Sequence, residues 1–76
     1  MPHITVKMWP GRTEEQKQQI ADALTRELMA TAGVTADAVS VIIEDVEPEV
    51  WDAEVCKKEL APKKNLLYKA PGYPFE

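Results

Sequence analysis

Polar and apolar residues alternate from the start of the chain. Ile4, Val6 and Met8 fall on one side of an extended segment and His3, Thr5 and Lys7 on the other, the two-residue period of a strand with one buried face. This strand is expected to run from His3 to Trp9, where Pro10-Gly11 stops it. The period then lengthens. Thr13-Glu14-Glu15-Gln16 has the spacing of a capping box, with Thr13 as N-cap and Gln16 reaching back to it, and the acidic pair suits the positive end of a helix dipole. Apolar residues at Ile20, Ala23, Leu24, Leu28 and Ala32 keep close to 3.6 per turn, and Gly33 follows as a C-terminal cap. The spacing predicts a helix of about five turns. A β-branched run from Val39 to Val46 is apolar on both sides, which predicts a strand with a central place in a sheet. Past Pro48 the pattern weakens. Glu49 to Leu60 has helical composition, Pro62 interrupts it, and Leu66, Leu67 and Tyr68 suggest one more helical turn. Pro71-Gly72-Tyr73-Pro74 reads as a terminal turn, packed on a partner chain or frayed.

Strand, capped helix, strand is a βαβ unit, whose helical crossover makes the two strands parallel and right-handed. The fold class expected is α/β (α+β by some schemes), with one such unit per chain and a single domain over residues 1–76. Two parallel strands and one helix leave sheet edges and an apolar face uncovered, and a chain of 76 residues buries a limited share of its surface alone. Two copies related by a two-fold axis would give a four-stranded sheet with both helices on one face. A homo-oligomer is therefore expected, a dimer first and a hexamer as the alternative.

Composition narrows the partners. Thirteen acidic against nine basic residues give a net charge of −4, the wrong sign for gripping nucleic acid through its phosphates. No apolar run approaches a membrane span, and the N-terminus lacks the basic start of a signal peptide, so a soluble cytoplasmic protein is expected. Cys56 is the single cysteine and His3 the single histidine, which excludes an internal disulfide and argues against a metal centre. Cys56 reads as a small hydrophobe. Given the net acidity, any anion site must be local and built from a few placed donors.

Pro2 is the candidate general base. Removal of Met1 would leave its ring nitrogen as a free secondary amine, and an apolar pocket beside an arginine would hold that amine neutral by desolvation and like-charge repulsion. Ile4, Trp9 and Trp51 are candidates for the apolar walls. Arg12 follows the first strand, at the end of a parallel strand where ligands bind in open α/β sheets, and its guanidinium can hold a carboxylate with two parallel hydrogen bonds.

The run Pro2-His3-Ile4-Thr5-Val6-Lys7-Met8-Trp9-Pro10-Gly11-Arg12-Thr13-Glu14-Glu15-Gln16-Lys17, with Val39-Ser40-Val41-Ile42-Ile43-Glu44 and Trp51, resembles the 4-oxalocrotonate tautomerase family. The ending Lys69-Ala70-Pro71-Gly72-Tyr73 is similar to its longer, dimeric, phenylpyruvate tautomerase-like subgroup. The resemblance implies a cofactor-independent tautomerase that interconverts the enol and keto forms of a 2-oxo acid, of phenylenolpyruvate or 2-hydroxydienoate type, with Pro2 as general base. It implies that Arg12 binds the carboxylate, commonly across a subunit boundary, and that Trp51 lines the pocket. Ser40 departs from the pattern, because better-known members carry a second arginine there. A monocarboxylate enol with an aryl or alkyl tail is expected in place of a dicarboxylate, with Ser40 donating at most one hydrogen bond. His3 is expected to face a neighbouring strand or solvent. Two alternatives stay open: a hydratase or dehalogenase using Asp52, Glu54 or Glu59 to activate water, and a non-catalytic assembly module if Met1 is retained.

Overall fold

A computed structural model describes all 76 residues. In chain order the main elements are strand β1 (His3–Met8), helix α1 (Glu14–Ala32) and strand β2 (Ser40–Asp45), followed by a nine-residue helix, Asp52–Leu60. Single 3₁₀ turns lie at Ala36–Ala38, Pro48–Val50 and Lys64–Leu66. The residues fall into two compact units, Met1–Asp45 and Val46–Glu76.

The first unit is the expected βαβ. β1 and β2 pair in parallel, His3 opposite Ser40 through Met8 opposite Asp45, without a slip. Paired residues share a face in this register. Ile4 with Val41 and Val6 with Ile43 are half-buried, whereas His3 with Ser40 and Thr5 with Ile42 are exposed. The face carrying Ile42 is therefore uncovered within the single chain, and that side chain is 47% exposed. Both strands are shorter than their patterns predict: Trp9, Val39 and Val46 lie outside them, and Trp9 is exposed. Pro10 removes a ladder donor just beyond Trp9, and Gly11 takes a φ of 126° that favours glycine, so the chain leaves the sheet early.

The helix follows its signals closely. Gln16 N–H donates to the Thr13 hydroxyl at 3.1 Å, and Thr13 N–H donates to the Gln16 side-chain oxygen at 2.9 Å, completing the capping box. Gly33 closes the other end at φ 71°, its N–H donating to the Met29 carbonyl. The half-buried stripe is Lys17, Ile20, Ala21, Leu24, Thr25 and Leu28, while Ala23 and Ala32, counted with the apolar face by spacing, are exposed. Thr25 tolerates its place because its hydroxyl donates to the Ala21 carbonyl at 2.8 Å. Lys17 reaches from this stripe to the Asp45 carboxylate at 3.1 Å, fastening the helix to the end of β2.

The second unit departs further from expectation. Helical composition from Glu49 becomes a 3₁₀ turn and then a wide helix, in which Ala61 N–H donates to the carbonyl of Cys56, five residues back, at 2.9 Å. The predicted turn at Leu66, Leu67 and Tyr68 falls slightly earlier, at Lys64–Leu66. Cys56 behaves as the expected hydrophobe, and it and Val55 are the two buried residues of the chain.

Candidate active site

The first unit brings Pro2 and Ser40 together and holds Arg12 apart from them. Ser40 N–H donates to the Pro2 carbonyl at 3.1 Å, so the serine sits across the sheet from the chain's beginning. Pro2 itself is half-buried, and the preceding Met1 is 96% exposed.

Arg12 lies past the opposite end of β1, its Nη1 donating a long bond, 3.4 Å, to the Trp9 carbonyl. At roughly 3.3 Å per residue, β1 alone places about 20 Å between Pro2 and that guanidinium. A small acid cannot touch both within one chain. Trp9 is likewise displaced from Pro2 along the strand, so of the walls expected within the first unit only Ile4 is close to it.

Beside Arg12 runs an open groove of about 360 Å³ along α1, lined by Gln16, Gln19, Ile20 and Ala23. Ala23, exposed, is part of its lining. Three amide or guanidinium side chains over two apolar residues suit the anionic end of an organic acid. Gln16 and Gln19 carry no sequence signal beyond capping and helix polarity, which is why pattern reading passes them over.

Trp51 belongs to the second unit, immediately before the wide helix, and its indole N–H donates to the Tyr73 hydroxyl at 3.1 Å. Two of the acidic residues considered for water activation form ion pairs with lysines. Asp52 pairs with Lys57 at 3.6 Å, and Glu54 with Lys58 at 2.8 Å.

The single histidine is more engaged than its position suggests. His3 Nδ1 lies 2.7 Å from the Ser40 hydroxyl and Nε2 lies 3.1 Å from the Thr5 hydroxyl, a row of three side chains on the uncovered sheet face. It does face the neighbouring strand, as expected, and its Nδ1 meets the hydroxyl of Ser40, whose backbone N–H is bonded to the Pro2 carbonyl.

Similarity to known proteins shows the family. A family model described as "Tautomerase enzyme" matches residues 2–59, more than half of the chain. The chain belongs to the tautomerase family. It is 39% identical to Tautomerase PptA of Cronobacter sakazakii over 74 residues, covering 96% of this chain and 97% of that one. It is 40% identical to a probable tautomerase of Xylella fastidiosa over 73 residues, 96% of this chain and 89% of the other. Among solved structures, TomN, a 4-oxalocrotonate tautomerase homologue in the tomaymycin biosynthetic pathway, matches with a TM-score of 0.64 at 31% identity over 84% of this chain and 95% of TomN. A 4-oxalocrotonate tautomerase isozyme of Methylibium petroleiphilum matches with a TM-score of 0.63 at 36% identity, over 66% of this chain and 81% of that one. The tautomerase is thus an isomerase of the βαβ type that its alternation and caps foretold. None of its helices is long and apolar enough to cross a membrane.

Proposed function

We propose that the processed protein is a keto-enol tautomerase of 2-oxo acids, with Pro2 as its general base and its site shared between copies of one 76-residue functional domain. Loss of Met1 turns the Pro2 nitrogen from a tertiary amide into a secondary amine. Full exposure of Met1 supports access for the processing enzyme. In an apolar, water-poor pocket next to a guanidinium the amine is held neutral and able to accept a proton.

The step is balanced without an outside reagent. Pro2 nitrogen takes the enol O–H proton as the C–O bond becomes a carbonyl, the enol π pair forms a C–H bond at the adjacent carbon, and a proton is returned there. Arg12 of a second copy anchors the carboxylate and disperses charge on the developing enolate. The Ser40 hydroxyl offers one hydrogen bond beside Pro2, and Trp51 an aromatic face for a conjugated tail. With a single arginine near the site and a hydroxyl at position 40, a monocarboxylate such as phenylenolpyruvate fits better than a dicarboxylate.

The observation that carries this reading is the contact of Ser40 with the Pro2 carbonyl at the amino end of the sheet, in a chain of the tautomerase family. The test is ketonisation of phenylenolpyruvate followed by ultraviolet absorbance, on protein whose intact mass shows Met1 absent. Activity is expected for this form and none for a form that keeps Met1. Equal activity of the two would remove Pro2 from the mechanism.

A further inference from the structure

The Thr5–His3–Ser40 row has a direction, and the reaction has a use for only one of the two. A neutral imidazole donates from one ring nitrogen and accepts at the other, so either every hydrogen in the row points toward Ser40 or every one points away. If Ser40 spends its hydrogen on Nδ1, it shows only lone pairs to a substrate oxygen that is gaining negative charge, and repels it. If Thr5 donates to Nε2 and Nδ1–H donates to Ser40, the serine hydrogen is left for that oxygen, and each bond in the row polarises the next.

We propose that His3 is a positioning residue of the tautomerase: protonated on Nδ1, it fixes the Ser40 hydroxyl as an outward donor to the substrate oxygen from which Pro2 withdraws the proton. This rests on the function proposed above and assigns it a device for holding the enolate oxygen without a second arginine. Three features bear on it. The Nδ1 to Ser40 distance of 2.7 Å shows the two side chains bonded, a length that either direction of donation satisfies. The Ser40 backbone is tied to the Pro2 carbonyl, which holds the serine across the sheet from the residue that carries the base. Thr5 occupies the far ring nitrogen and can select the tautomer, in the way a partner on one nitrogen of a histidine sets the role of the other.

The first test is independent of turnover. In ¹⁵N-labelled processed protein with neutral His3, Nδ1 is expected to carry the proton and Nε2 to be bare; a proton on Nε2 overturns the proposal. The second uses phenylenolpyruvate as probe. His3→Leu and Ser40→Ala are each expected to lower kcat about tenfold with KM little changed, the low end for one hydrogen bond to a charged group acting in the transition state. The double variant should be no slower than either single one, because the two residues act as a unit. His3→Asn, whose amide nitrogen overlies Nδ1, is expected to recover most of the rate, whereas His3→Gln, whose amide overlies Nε2, should not. An active enzyme indifferent to His3→Leu, or losses that multiply in the double variant, would overturn the positioning role while leaving Pro2 catalysis intact. Processed wild-type protein without ketonisation activity would instead bring down the function reading, and the role given to Ser40 with it.

Discussion

At the scale of single residues, the chain concentrates its commitments where a side chain replaces a missing backbone partner. Thr13 is the clearest case. The first amides of α1 have no carbonyl inside the helix to donate to, and the Thr13 hydroxyl takes the one from Gln16. Thr13→Ala is expected to cost about 1 kcal/mol, which for a domain of this size lowers Tm by roughly 4–8 °C in thermal denaturation. Thr13→Ser, keeping the oxygen, should cost far less; equal losses would mean that the hydroxyl contributes nothing. The capping box was legible because both of its bonds span three residues and owe nothing to the rest of the fold. The His3–Ser40 bond spans 37 residues and becomes visible only once the two strands are set in register.

Between elements, α1 and β2 are joined by an ion pair whose sign can be checked against pH. The hydrogen bond to Asp45 holds the Lys17 ammonium above the ordinary lysine range, with Coulomb attraction to Asp45 and then Glu14 adding to it, while partial desolvation pulls the other way. A cation whose folded pKa is raised adds stability that is fully present below its unfolded value, 10.5, and is lost as pH climbs through the folded one. In denaturant titrations, Asp45→Asn should therefore be less stable than wild type by a steady margin from pH 7 to 10. The margin should close above that range. A gap that persists at pH 12 would mean that Asp45 acts through packing and not through Lys17. The same boundary between local and distant causes explains what sequence pattern could show of these elements. Alternation fixed the faces of β1 and the inner side of β2, because a period of two has only one way to bury Ile4, Val6, Val41 and Ile43 together. It overstated both strands by their end residues, where Pro10 and the turn after Asp45 decide. It could not foresee the wide helix at Asp52–Leu60, since helical composition does not distinguish bonds to the fourth residue from bonds to the fifth.

For the whole molecule, the single chain buries only Val55 and Cys56, and leaves Trp9, Leu66 and Tyr68 at 54%, 63% and 102% exposure. Lone apolar side chains on a surface are ordinary, but a domain with two buried residues has no core adequate to hold it. The proposed assembly answers this, and it answers the separation of the chemistry as well. Pro2 and Ser40 stand at one end of a strand and Arg12 beyond the other, about 20 Å away by strand length alone. A second chain laid antiparallel beside the first, about a two-fold axis, would bring its carboxyl strand end, and with it Arg12, to the first chain's Pro2. The candidate residues could be named from the sequence one by one, whereas their separation along the chain became visible only with the length and direction of β1. Subunit complementation tests that division directly. One inactive form keeps Met1, blocking Pro2; the other carries Arg12→Ala. Unfolded together and refolded as a mixture, chains that share their sites place an intact Pro2 opposite an intact Arg12 in one pocket of each mixed pair, so about a quarter of the pockets should recover under random two-fold pairing. If Pro2 and Arg12 of the same chain served one pocket, every pocket in the mixture would carry one lesion, and the ketonisation rate would stay at that of the separate inactive forms.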